Sequence, residues 1–191
     1  FAESAAKMGV AFDITADQAG EMMAKWRTAF KMGQPEVVEL ADKVNYLSNK
    51  TAATAPLISD VVTRVGPLGA VGGVAAGEIA ALGASIVGAG INSEMGATGI
   101  KNLILALTSG ESATKTQAGA FAALGLDAGE MSEYMQKDAK GAILTVLEGL
   151  KGLDKAKQAS VLKDLFGKES LGAISPLISN LDELKNNFER V

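Results

Sequence analysis

Cysteine and histidine are both absent from the 191 residues of this chain. Without cysteine there is no disulfide framework, which suits an intracellular protein. Without either residue type, zinc sites of the usual Cys/His kind and nucleophile pairs of the Ser-His or Cys-His kind are excluded. Paired carboxylates are the one catalytic device that the composition still allows. We therefore predict no catalytic residue, no cofactor and no metal site, and no enzymatic activity.

Clustered positive charge is also lacking. The chain has 18 lysines and arginines against 22 aspartates and glutamates, which gives a net charge of −4. No run of basic residues is longer than two. A nucleic-acid-binding surface needs clustered lysine and arginine to neutralise phosphates, so we expect no specific nucleic-acid binding.

Aromatic residues make up only 5% of the chain, and there are only 4 prolines. Alternating runs of β-branched or aromatic residues are almost absent, whereas alanine, leucine, lysine, glutamate and methionine fill the segments between the glycines. The hydrophobic content of 48% argues against disorder. The composition predicts an all-α fold.

Helix-ending signals divide the chain into about ten short helices joined by glycine-marked turns. Thr15 and Gln18 have the spacing of a capping box, and Asp127 is placed to cap a helix with Glu130. We expect these helices to form a compact multi-helix bundle. Turns are predicted at four glycines, which are incompatible with a single straight rod: Gly33, Gly66, Gly110 and Gly125.

Both ends of the chain are predicted to be helical. The first helix, Phe1–Met8, is expected to end at Gly9, and Pro176 is expected to kink or restart the last one. The first residue is not methionine, and the sequence has the character of a segment of a larger protein. We interpret residues 1–191 as one helical core segment. Residues 1–12 and 171–191 are predicted to be helical connections that continue into longer helices.

Glycine and alanine are concentrated in Val65–Gly99, where Glu78 and Glu94 are the only charged residues. A helix over Ala75–Gly90 would be apolar nearly all round, with a narrow polar edge that includes Glu78 and Ser85. Such a helix has to be covered by other protein or by lipid.

The predicted helix has two contrasting faces at 100° per residue. Larger side chains form one of them: Ile79, Leu82 and Ile86. Small residues form the opposite face: Gly73, Gly77, Ala81, Ala84 and Gly88. Each interior glycine costs a helix roughly 0.5 to 1 kcal/mol relative to alanine, so their number indicates that close approach of another backbone offsets the loss. We predict that these eight residues are a helix-packing surface.

Seven segments carry a resemblance to a known family. They are FDIT at Phe12–Thr15, MAKWR at Met23–Arg27, LADKVN at Leu40–Asn45, VTRVG at Val62–Gly66, GEIAALGA at Gly77–Ala84, AFAALGL at Ala120–Leu126 and LFGKE at Leu165–Glu169. In order and spacing they resemble the core region of phage tail tape-measure proteins, in the branch found in contractile-tailed phages, prophages and phage-tail-like bacteriocins.

The resemblance implies a virion structural protein of the phage tail that is assembled in the cytoplasm of the bacterial host. Such a protein sets tail length during assembly, occupies the lumen of the tail tube and leaves ahead of the genome during ejection. The implied partners are further copies of itself, the tail tube, tail assembly chaperones, and baseplate or tip proteins. Transient contact with the host membrane is also implied.

Two other functions remain open at this stage. Ala70–Gly90 is long enough to span a bilayer and its small residues suit helix pairing in lipid, so a membrane-inserting segment for genome delivery is one alternative. Against it, Glu78 would lie near the middle of the span at a cost of about 2.5 kcal/mol or more. A helical scaffold or adaptor unrelated to phages would share the composition but not the ordered segments.

Individual residues allow sharper hypotheses, each with a structural alternative. A buried Glu78 has the chemistry of a general acid; we favour a carboxylate on the polar edge or one bonded to a nearby backbone amide or to Arg64. Trp26 with Arg27, and Tyr46 with Lys50, have the composition of nucleic-acid stacking contacts. For both aromatic residues we favour anchoring in the core or in an interface.

Overall fold

The computed structural model describes residues 1–191 and contains thirteen α-helices and no strands. Local stop and start signals in the sequence separate these helices. The helices are α1 (Ala2–Phe12), α2 (Ala16–Phe30), α3 (Gln34–Lys50), α4 (Ala55–Val65), α5 (Pro67–Val71), α6 (Ala76–Gly88), α7 (Ser93–Leu107), α8 (Lys115–Ala123), α9 (Ala128–Lys137), α10 (Ala139–Lys151), α11 (Lys155–Phe166), α12 (Leu171–Ser179) and α13 (Leu181–Glu189). The all-α prediction is confirmed. The predicted number of about ten is too low, because α5 was not anticipated and the last predicted helix is two helices.

Side-chain caps set several helix starts. The Thr15 hydroxyl accepts a hydrogen bond from the Gln18 backbone N–H at 3.1 Å, and the Gln18 side chain accepts one from the Thr15 N–H at 2.9 Å. The predicted capping box is therefore confirmed, as is the Asp127 cap, which accepts from the Glu130 N–H at 3.0 Å. Thr114 and Gln117 form a second capping box. It starts α8 at Lys115.

The predicted end of the first helix at Gly9 is wrong. Helix α1 runs through Gly9 to Phe12 and ends where Asp13 adopts a left-handed conformation at φ 57°. Gly9 is buried, and a Cβ added to it would lie 3.0 Å from the Ile14 carbonyl oxygen. The glycine is thus needed for the close return of the following loop rather than for the end of the helix.

The predicted interruption near Pro176 exists, but it lies at a different residue. Pro176 lies within α12, and the chain leaves helical geometry at Asn180, with φ −117° and ψ 44°. Because Pro176 is only the sixth residue of α12, its missing N–H removes a single hydrogen bond close to the start of the helix. The break at Asn180 lets α13 start in a new direction.

One continuous apolar core joins the helices. Helix α6 lies at its centre, in contact with α3, α4, α7, α12 and α13. Helices α1 and α2 pack against each other beside α3 and α4, and α8 to α11 form the other side of the core around α7 and α12. Helix α4 buries Ile58, Val61, Val62 and Val65 in this core, whereas Leu57 is 42% exposed.

We expect Gly99→Ala to lower the free energy of unfolding by about 1 to 3 kcal/mol. An added Cβ at Gly99 would lie 2.5 Å from the Ala173 Cβ, so α7 and α12 would have to separate. Gly119→Ala is the matched control, because Gly119 is a helical glycine of α8 whose added Cβ meets no atom within 4 Å. That variant should gain about 0.5 to 1 kcal/mol.

Urea denaturation followed by far-ultraviolet circular dichroism measures both changes. Equal stabilities for Gly99→Ala and Gly119→Ala would contradict the close contact between α7 and α12.

Candidate functional site

The predicted apolar helix corresponds to α6, which is enclosed by protein on all sides. Every residue from Ala76 to Val87 except Glu78 is buried. The covering helices come from both halves of the chain, since α3 and α4 precede α6 whereas α7, α12 and α13 follow it. The apolar surface that was expected to require protein or lipid is therefore covered by the chain itself.

The eight residues of the predicted packing surface do not all lie in this helix. Seven lie in α6, where six are buried and Gly88 is partly buried: Gly77, Ile79, Ala81, Leu82, Ala84, Ile86 and Gly88. Gly73 lies outside α6, in the preceding turn, at φ 77°. A Cβ added there would lie 3.0 Å from the Met135 carbonyl oxygen, so this glycine contacts α9 rather than the neighbours of the small-residue face.

Side chains and backbone of other segments approach the small-residue face closely. A Cβ added to Gly77 would lie 3.3 Å from the Lys43 Cδ and 3.5 Å from the Val191 Cβ. At Gly88 the nearest atom would be the Ala53 backbone nitrogen at 3.7 Å. The small-residue face therefore accommodates α3, the loop that follows it and the C-terminal residues. Its importance for stability stays a prediction.

Sequence reasoning missed the tightest contact made by a glycine of α6. A Cβ added to Gly83 would lie 3.0 Å from a Val61 methyl carbon of α4. Gly83 falls among the larger residues on the helical wheel, so a search for a face made only of small residues excludes it. Ile86 in turn packs against Gly96 of α7, where the corresponding distance is 3.2 Å. Large side chains of one helix thus fill gaps at glycines of the next.

Glu78 serves as a helix cap. Its carboxylate accepts a hydrogen bond from the Ala75 backbone N–H at 3.0 Å, at the positive end of the α6 dipole. This geometry agrees with the favoured interpretation of a bond to a backbone amide. It gives no support to a general acid, since the carboxylate is bonded to the backbone and faces no second catalytic group.

The two aromatic residues singled out from the sequence differ in their surroundings. Trp26 is fully buried, and its indole Nε1 donates a hydrogen bond to the Thr63 hydroxyl at 3.1 Å, which confirms a core anchor. Tyr46 is 47% exposed, with the Lys50 Nζ 5.6 Å from its ring centroid. The core interpretation is wrong for Tyr46, and an interface role for it stays a prediction.

An acidic group connects α4 to the start of α7. The Ser93 hydroxyl and the Arg64 Nε both donate to Oδ2 of Asp60, the latter at 2.8 Å. Partial burial by itself raises the pKa of Asp60, but the hydrogen bonds from Ser93 and Arg64 and the charge of the guanidinium together outweigh it. The pKa therefore lies below the usual value. The carboxylate also lies beside the N-terminus of α7, where negative charge is favourable.

Two further features concern a metal site and a membrane-spanning helix. No group of three or more histidine, cysteine, aspartate or glutamate side chains is arranged to hold a metal ion. None of the thirteen helices combines the length and the apolarity that crossing a bilayer requires.

Comparison with known proteins identifies the family. Residues 1–167 match the family described as Phage-related minor tail protein. The chain belongs to this family. It is therefore a phage tail protein sequence, and the alternative of a scaffold unrelated to phages is wrong.

Two curated relatives extend the assignment to the phage-related minor tail proteins. A probable tape measure protein of Halomonas phage phiHAP-1 is 36% identical over all of this chain and 22% of its own length. A probable tape measure protein of Escherichia phage P2 is 26% identical over 95% of this chain and 23% of its own length. The predicted resemblance to tape-measure proteins is confirmed. The chain spans about a fifth of the length of these relatives, and no solved structure matches it.

We expect Gly77→Leu and Ala84→Leu each to lower the free energy of unfolding by about 1 to 3 kcal/mol, because the added atoms overfill a closely packed face. Ala118→Leu is the control, since Ala118 is an exposed alanine within α8. Thermal unfolding of the three variants measures the effect. Wild-type stability of both α6 variants would refute the close-contact face.

The Asp60 contacts predict a pH-dependent stability. A carboxyl whose folded pKa is lowered contributes stability above its unfolded pKa, and this contribution is lost as pH falls through the folded value. We expect Asp60→Asn to cost less than about 1 kcal/mol at neutral pH, because the group is partly exposed. The difference from wild type should shrink as pH falls below the ordinary value of 3.8.

Chemical denaturation at a series of pH values measures this difference, with Asp164→Asn, at an exposed position of α11, as the control. A difference between Asp60→Asn and wild type that stays constant from neutral to strongly acidic pH would contradict the assignment.

Proposed function

We propose that the protein of which this chain is a part acts as a tape measure of a phage tail. It sets tail length during assembly, lies in the lumen of the tail tube and leaves with the genome at ejection. The observation that carries the proposal is similarity along the whole chain to two phage proteins named probable tape measure protein. In this proposal the protein is structural and has no enzymatic activity.

The fold suggests what this region contributes to such a protein. A helix of 191 residues without interruption would reach roughly 290 Å, whereas a globule of the same length is about 40 Å across. Left-handed backbone at Gly66, Gly110 and Gly125 reverses the chain between helices, and the resulting helices share one core. We therefore assign to residues 1–191 the role of a folded core segment. The part of the protein whose length sets the length of the tail lies, in this proposal, outside this segment.

The ends of this segment are the expected connections to that sequence. We propose that residues 1–12 and 171–191 link the core segment to longer helices. The partners that we propose for the complete protein are further copies of itself, the tail tube, tail assembly chaperones, and baseplate or tip proteins. The exposed apolar side chains of Phe1, which precedes α1, and of Val10 within α1 are available for such contacts.

Electron microscopy of particles that carry in-frame deletions in the intact gene tests the tape-measure role. Deletions in helical sequence outside this segment should shorten tails by about 1.5 Å per deleted residue, while the tails remain straight and complete. Deletion of α6 from this segment should instead abort assembly, since removal of the central helix opens the core. Tails of unchanged length after deletions outside the segment would overturn the proposed function.

A further inference from the structure

Helix α13 is short and contributes three apolar side chains to the core. It has nine residues, of which Leu181, Leu184 and Phe188 are the buried apolar ones. Its partner α6 presents a small-residue face, and small side chains remove little apolar area from water. A helix this short is marginal by itself, so other interactions have to fasten it.

A cluster of hydrogen-bonded polar side chains supplies these interactions. Glu183, Asn187 and Arg190 are spaced four and three residues apart and share one face of the helix. Asn187 is fully buried, and its Nδ2 donates a hydrogen bond to the Ser85 hydroxyl of α6 at 2.8 Å. The Arg190 Nη1 donates to the Asn187 Oδ1 at 2.7 Å and to the Glu183 Oε1 at 3.1 Å. The Ser85 hydroxyl donates to the Ala81 carbonyl at 3.0 Å, which completes a continuous chain of hydrogen bonds.

The one charged contact of α13 with another helix is weak. Lys185 Nζ lies 2.9 Å from Glu148 Oε1 of α10, but the two side chains are 42% and 53% exposed. Exposed ion pairs contribute little because water screens them. The buried Ser85–Asn187 hydrogen bond is therefore the principal specific contact between α13 and the core.

We propose that α13 is a hinged strap, fastened to α6 by the Ser85–Asn187 clasp, and that it opens as a unit while the rest of the fold stays intact. The hinge is Asn180, the single residue between α12 and α13, which lies outside helical geometry. Opening exposes the small-residue face of α6 near Gly77 and Ser85. This inference concerns the fold of the chain and does not depend on the proposed tail function.

Amide hydrogen exchange of wild type and two single variants tests the proposal. In the wild type, amides of α13 should exchange through an opening more frequent than global unfolding, with a weaker dependence on urea than amides of α7. Ser85→Ala leaves the Asn187 amide unpaired, and it should accelerate exchange in α13 by about fivefold to 150-fold.

Gly99→Ala is the contrasting variant. It disturbs the contact between α7 and Ala173, and this contact remains formed when α13 is open. This variant should therefore accelerate the exchange of α7 amides, which need global unfolding, and leave the exchange of α13 unchanged. Asn186→Ala, at an exposed position of α13, is the control for the loss of an asparagine side chain.

A disulfide tests the same opening without removal of the clasp. A Cβ added to Gly77 would lie 3.5 Å from the Val191 Cβ, within the range that disulfides span. In the cysteine-free background, Gly77→Cys combined with Val191→Cys should slow α13 exchange to the rate of α7 when oxidised. Wild-type α13 amides that exchange only with global unfolding, or an equal effect of Gly99→Ala on α13 and α7, would overturn the proposal.

Discussion

The constraint on which the structure depends is that α6 has to be covered on every side. Its buried residues leave only Glu78 and Gly88 with partial access to solvent, so no single neighbour can shield it. Helices from both halves of the chain surround it. Covering α6 therefore brings together segments as distant in sequence as α3 and α13, and it joins the helices into one core rather than into separate pairs.

Glycines determine how closely these helices approach. Val61 packs against Gly83, Ile86 packs against Gly96, and Ala173 packs against Gly99. In each contact a side chain fills the space that a missing Cβ leaves, so dense packing is reached with few aromatic residues. The conformational cost of glycine in a helix is offset by contacts that a larger residue would prevent.

Polar contacts between distant residues fix the orientation of the peripheral elements. Trp26 bonds to Thr63, Ser93 to Asp60, Asn102 to Ser170 and Asn187 to Ser85. Each of these hydrogen bonds joins two different segments, and a buried polar group requires its partner in one particular position. The apolar core accounts for association of the helices, while these bonds select one arrangement. In this phage-related minor tail protein, residues 1–191 therefore form a folded block that is much shorter than the extended chain.

The sequence by itself determined the helical class and the helix starts marked by the Thr15 and Asp127 caps, because caps are local properties. Its ordered short segments also indicated the family. Only the tertiary structure decided that Gly9 lies inside a helix, that Gly73 faces α9 and that Gly83 makes the closest contact among the glycines of α6. It also decided that the last helix breaks at Asn180 and that Tyr46 is exposed. These features depend on which residues meet across the fold, and a local pattern contains no information about a partner many residues away.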